Sequence, residues 1–366
     1  MGSSSLEFQN VCFVVYIITN DVCIITAFHL KKQQHHINSL EANMQTEKHS
    51  QYPSTVFILL NCTALILSLL IVFLSTHIRL GEAGLGCEPW PECYAQLSLA
   101  DSVKGLEIPE TEFKTFRAMH RFIASILGIN ILIIMLMAIY YRKEVSPLLP
   151  VLMFLVVLFL SILGVATPTR SLPLVTLGNI LGGIVLAGLV WRQILQCRTR
   201  IVISGPLLVL LVSVTLTLQL ISGAWASANY TGSACPKLVT CTYTNDLSGN
   251  LLESFNIFRK LNLDSNDRLI LDETSSIIQF SHRLIAVILL LLIITALWSV
   301  KRNHPALLKP MLILSCLFFT EFILGVVNVL TDMPLWTNTL HNLLAVGLLF
   351  ATINLTLLVQ FRGNDH

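Results

Sequence analysis

The sequence predicts an all-α integral membrane protein with eight transmembrane helices, arranged as two pseudo-symmetric four-helix bundles. Three observations predict it. The 366 residues are 54% hydrophobic and only 12% charged, whereas soluble domains carry about 25% charged residues. The apolar residues fall into eight blocks near the ~20 residues that a helix needs to cross a bilayer. Two long connections each carry a C-x5-C pair, which points to an internal duplication. The net charge of +2 says little about partners, but the sequence has no basic stripe of the kind nucleic acid needs, so no nucleic-acid partner is expected.

The blocks are helices because backbone groups in lipid must be satisfied within the segment. In order they are VFILLNCTALILSLLIVFLS (56–75), AMHRFIASILGINILIIMLMAIYY (118–141), PLLPVLMFLVVLFLSILGVA (147–166) and PLVTLGNILGGIVLAGLVWRQIL (173–195). Then come VISGPLLVLLVSVTLTLQLIS (202–222), SIIQFSHRLIAVILLLLIITALW (276–298), ALLKPMLILSCLFFTEFILGVVNVL (306–330) and PLWTNTLHNLLAVGLLFATINLTLLVQF (334–361). Glu321 is the only clear mid-helix acid. It reads as a local polar contact, because a transporter would want broken helices and several midplane charges.

Three segments follow: an N-terminal extension (1–55), a first four-helix half (56–200) and a second (201–366). Within the extension, VCFVVYIITNDVCIITAFHL (11–30) is apolar but interrupted by Asp21 and followed by KKQQHH. A ninth span, a cleaved leader and a start at Met44 all fit it. Met44 is favoured, since MQTEKHSQYPSTVF makes an ordinary cytoplasmic lead into the first block.

Lys and Arg set the orientation. They gather in YRKEVS (141–146), at Arg192, Arg198 and Arg200, at Lys301, Arg302 and Lys309, and at Arg362. The opposite side has TPTRSLP (167–173), with Arg170 alone, and two long acidic loops, 76–117 and 223–275. Both ends of the eight-helix body are therefore expected in the cytoplasm. Short loops and no Arg/Ser-rich leader favour a bacterial inner membrane over a mitochondrial one.

The cysteine pairs lie in the two long outer loops, in GLGCEPWPEC (84–93) and ACPKLVTC (234–241). An outer compartment is oxidising, so the pairs Cys87–Cys93 and Cys235–Cys241 are expected as disulfides; free or redox-active thiols are the alternative. No second cysteine pair or close histidine accompanies either one, which speaks against zinc. Cys12, Cys23, Cys62, Cys197 and Cys316 read as buried or incidental.

FRAMHRFIASIL (116–127) repeats as QFSHRLIAVILL (279–290), each with His-Arg near the outer start of the second helix of its half. The offset that carries His120 to His282 carries Asn179 to His341, so the first half lacks the second histidine. Ionisable groups inside a membrane are expensive and usually functional. His282 and His341, at matched depth on two helices, could clamp one haem by its axial positions; interfacial histidines capping carbonyls or meeting water are the alternative. His120 opposite Asn179 would give one strong ligand and one weak position, which suits a transient substrate. Arg121 and Arg283 would pair with propionates or snorkel to headgroups. His77, placed just outside the first helix near Arg79, reads as solvated.

At this point the chain resembles the haem A synthase family. The stretches that carry the likeness are RLGEAGLGCEPWPEC (79–93), MHRFIASILG (119–128), LISGAWASANYTGSACPKLVTC (220–241), QFSHRLIAVILL (279–290) and LHNLLAVGLLFA (340–351), within about residues 56–361. The resemblance implies that His282 and His341 hold a haem b cofactor. It implies that the first half takes haem O at His120, with Cys87 and Cys93 in a catalytic thiol or disulfide role. The reaction implied is oxidation of a haem O ring methyl to formyl, giving haem A for cytochrome oxidase. Implied partners are haem O synthase or oxidase assembly factors, membrane lipids and further copies of the chain. Two positions depart from the family: Asn179 stands for a histidine, and Arg117 for a glutamate often assigned a catalytic part, with Glu110 and Glu112 upstream. A non-catalytic haem-binding assembly protein is the alternative reading.

Overall fold

The computed structural model describes residues 55–82, 110–166, 172–196, 203–204, 207–241, 251–262 and 269–360. Met44 and the extension lie outside the described residues, as do Cys87 and Cys93. The long helices are α1 (Thr55–Glu82), α2 (Glu110–Tyr140), α3 (Leu148–Ala166), α4 (Pro173–Leu195), α5 (Leu207–Ala228), α6 (Glu273–Asn303), α7 (Leu308–Leu330) and α8 (Leu335–Leu358). Among the described residues, 7 helices are long and apolar enough to cross a membrane, and in α3 the apolar stretch Leu148–Gly164 is shorter. The protein is thus helical and multi-pass. The predicted helix order is present, with α3 short of full span length.

One small departure from all-α is a parallel pair of two-residue strands, β1 (Ile203–Ser204) and β2 (Val359–Gln360). Ile203 lies opposite Val359 and Ser204 opposite Gln360. The pair ties the approach to α5 to the end of α8.

Helices run past their lipid-length blocks where the flanking residues cap or bury them. At α6, Asp272 is the N-cap. Its Oδ1 accepts from the Ser275 amide (2.9 Å), the Ser275 hydroxyl (2.9 Å) and the Thr274 hydroxyl, while Oδ2 accepts from Asn262 (2.7 Å). Buried Arg259 donates to Thr274 Oγ1 at 2.6 Å and lies 3.8 Å from the Asp272 carboxylate. One acidic side chain thus satisfies the start of α6 and pins the 251–262 segment over it.

At their other ends α5 and α7 close alike. Thr231 N–H bonds Ala226 O, and Met333 N–H bonds Asn328 O. The turning residues Tyr230 (φ 54°) and Asp332 (φ 56°) are left-handed. This is the wrap that glycine usually makes at a helix C-terminus.

Burial opposes ionisation of Asp272, but the Thr274 and Ser275 donors and the Arg259 charge outweigh it, and the carboxyl titrates below its ordinary range. A depressed folded pKa gives stability that is complete above the unfolded value, about 3.9, and is lost as pH falls through the folded value. Asp272→Ala should therefore cost about 1–2 kcal/mol at neutral pH, read as a lower unfolding temperature in detergent. The difference from wild type should shrink in acid. A constant difference down to the acid limit would show that the carboxylate is not the source.

α1 packs on α2, α4 and α8; α3 packs on α4 and α2; α5 packs on α6 and α4; α7 packs on α8 and α6. The first and second halves therefore meet along α1–α8, α4–α5 and α4–α8. Trp191 Nε1 of α4 donates to Asn354 Oδ1 of α8 at 3.0 Å, and the Trp191 ring stacks on Phe350 with centroids 5.0 Å apart. The larger apolar core of the second half lies at one end. Val212, Leu216, Leu289, Ile293, Leu314 and Leu355 belong to it, each almost wholly buried. The other end carries the polar residues described next. Large apolar side chains such as Phe122, Ile162, Leu291 and Trp298 face outward, as a lipid-facing surface requires.

Candidate functional site

His282 sits near the start of α6, facing α5. Ser222 donates its hydroxyl proton to Gln219 O (2.9 Å), so its oxygen is left to accept from His282 Nδ1, 3.0 Å away. The Gln219 amide lies on the same ring, its nitrogen 3.2 Å from Nδ1 and 3.4 Å from Nε2. Gln219 Oε1 is buried without a partner. Turning that amide supplies a second acceptor for Nδ1–H. With the amide turned this way, Nδ1 carries the imidazole proton and the Nε2 lone pair is left for another use.

His341 sits near the start of α8, facing α7. Its Nδ1 is 3.2 Å from Glu321 Oε1, within hydrogen-bonding distance but off the ideal line. The second Glu321 oxygen is buried with no hydrogen bond.

Each ring lies over a glycine of the neighbouring helix. A Cβ added to Gly223 would stand 3.0 Å from His282 Cε1, and one added to Gly325 would stand 3.4 Å from His341 Cε1. The same device therefore occurs twice. QLISG (219–223) and EFILG (321–325) each place a polar side chain one turn before a glycine, and each cradles one histidine.

This arrangement suits axial ligation of a haem. Each imidazole turns Nδ1 toward a polar side chain of a neighbouring helix, the side from which metal-ligating histidines are oriented. Among the described residues no group of three or more His, Cys, Asp and Glu is placed to hold a metal ion. Haem iron carries its equatorial ligands with it and asks the protein only for axial ones.

Residues 58–353 match the COX15-CtaA family, described as cytochrome oxidase assembly protein. The chain belongs to that family. The heme A synthase of Shewanella oneidensis is 29% identical over 322 residues, which cover 82% of this chain and 96% of the relative. The COX15-CtaA match takes in His120, Asn179, His282 and His341, so all four positions fall within the family's extent.

In this COX15-CtaA chain the loop after α5 packs over the His282 end. Cys235 and Cys241 are disulfide-bonded, and their sulfurs rest 3.8 and 4.0 Å from the Ser276 carbonyl oxygen. Arg283 holds the loop: Nη1 donates to Lys237 O (2.6 Å) and Leu238 O (3.1 Å), and Nη2 to Cys235 O (2.8 Å). Both terminal nitrogens expected to meet a propionate or a headgroup are thus spent on backbone carbonyls. Trp225 Nε1 adds a bond to Ser254 O at 2.9 Å.

The first half is less furnished. His120 and Asn179 are half-buried, and Arg117 and Arg121 are exposed. Among the described residues no hydrogen bond joins His120 to Asn179. One turn beyond His120, Ala124, Gly128, Phe154 and Val157 line an open apolar groove between α2 and α3. Glu110 and Glu112 fall in the first turn of α2, but their side chains lie outside the described residues.

His77 corrects the sequence reading. It is not solvated outside the first helix. α1 continues to Glu82, and His77 is 4% exposed, packed against Phe116 of α2 (5.0 Å) and Trp336 of α8 (4.8 Å). Glu321 is a local polar contact, as read, but its partner is the second predicted ligand. Gln219, Ser222, Gly223 and Gly325 went unread. The repeated spacing of a polar residue four before a glycine, in otherwise apolar helices, is the signal that points to them.

Proposed function

We propose that this chain is a haem A synthase-type membrane oxidoreductase that converts a ring methyl of haem O to a formyl group. The observation that carries the reading is the pair His282 and His341, each with Nδ1 beside a polar side chain of an adjacent helix. They would hold a haem b, whose iron supplies the electron-transfer chemistry that the side chains lack. The protein's own work is to fix both ligands, keep the pocket dry at its inner end and cover it with the disulfide loop.

The first half would receive haem O as substrate at His120, beside the groove between α2 and α3. Cys87 and Cys93 would form the matching outer staple. The eight helices would all span, as two related four-helix bundles: the pairs α1/α2 and α3/α4 have counterparts in α5/α6 and α7/α8. Both ends of that body would face the cytoplasm of a bacterial inner membrane, beside haem O synthase or other oxidase assembly factors.

A second reading has specific support. Asn179 is a far weaker iron ligand than histidine, and Arg117 cannot take up a proton as a carboxylate can. A haem-binding assembly protein without turnover fits both. The test is to express residues 44–366 in cells that make haem O but no haem A, then extract and chromatograph the haems. A haem A peak absent from the empty-vector control supports the synthase. Haem b and haem O without haem A, from well-expressed protein, would decide for the second reading.

A further inference from the structure

The two predicted axial ligands are held by unlike groups. His282 meets a serine hydroxyl and a neutral amide; His341 meets a carboxyl. Glu321 is 8% exposed, and its Oε1 stands 3.2 Å from His341 Nδ1. Nothing else in α7 supplies this. One turn further on, Gly325 leaves room for the ring, since a Cβ there would stand 3.4 Å from His341 Cε1. The pairing is thus built by position on both helices rather than by a stray surface contact.

Resting on the reading of His282 and His341 as haem ligands, we propose that Glu321 is a positioning residue. It accepts the His341 Nδ1–H bond, makes this imidazole the stronger donor of the two, and biases the bound haem toward its ferric state. A carboxyl acceptor draws the Nδ1 proton away from the ring and raises the electron density at Nε2, which raises ligand basicity. Added donation favours the higher oxidation state of the iron. The hydroxyl and amide at His282 do this less, so the ligand pair is asymmetric. If one imidazole yields its place, it is His282.

The experiment is redox titration and EPR of full-length protein purified with its haem, comparing wild type with Glu321→Gln and Glu321→Asp. Glutamine keeps the size and removes the carboxyl. The expected result for Glu321→Gln is about a tenfold shift of the ferric–ferrous equilibrium toward ferrous, an upward move of about 59 mV for one electron, with altered low-spin g values. Glu321→Asp should restore part of the shift. Unchanged potential and g values in haem-loaded Glu321→Gln would overturn the proposal. If Glu321→Gln folds but does not retain haem, Glu321→Asp decides. Recovery of haem supports a carboxyl requirement, and continued loss refutes it. The parent reading fails separately: a low-spin spectrum that survives His341→Ala removes the ligand assignment itself, whatever Glu321 does.

Discussion

His282→Ala and His341→Ala should each abolish the low-spin haem spectrum of the purified protein. Removing even an outer partner of a metal ligand costs about 10–100-fold in affinity. Removing the ligand should exceed that, so haem retained through purification should fall by more than about 100-fold. The two variants are not equivalent. His341→Ala also leaves the Glu321 carboxyl buried without its ring partner, a further cost of about 1–3 kcal/mol or more. It should therefore unfold at a lower temperature than His282→Ala, where a hydroxyl and an amide are left behind. Absorbance ratios and thermal unfolding in detergent check both statements. A spectrum unchanged in either variant would remove that residue from the ligand set.

Gly223→Val should do nearly as much damage without touching a ligand. The first carbon added there already stands 3.0 Å from His282 Cε1, and the valine branches carry further into the ring. The imidazole must swing away from Ser222, losing the bond that fixes its proton on Nδ1. Haem retention should fall by about tenfold or more. Gly223→Ala should fall between, because the ring needs to give by only a few tenths of an ångström. A Gly223→Val protein with full haem content would mean that the ring stands elsewhere when haem is bound.

The helices were legible because lipid imposes one simple rule, that a span is apolar and about 20 residues long. Their ends were not. His77 was read as solvated because it was placed just outside the first helix, near Arg79. Only the approach of Phe116 and Trp336 from two distant helices makes it an interior position. His282 and His341 were legible because a histidine among leucines stands out, and the offset between halves singles out the same places. Their supports were not legible, since a glutamine or a glutamate on one helix names no partner until the neighbouring helix is placed beside it. Arg283 shows the same limit. Its adjacency to His282 suggested a role toward the ligand's own cofactor, whereas its reach is set by a loop that returns from 46 residues away.

The Trp191 bond carries a consequence for how the protein is made. Its acceptor, Asn354, lies 163 residues further along the chain. During synthesis the fourth helix is complete long before the acceptor of its indole N–H exists, and the His77 ring likewise precedes its Trp336 contact. The faces of α1 and α4 that α8 covers are therefore the last part of the fold to be completed, so a chain cut before residue 335 should lack both contacts.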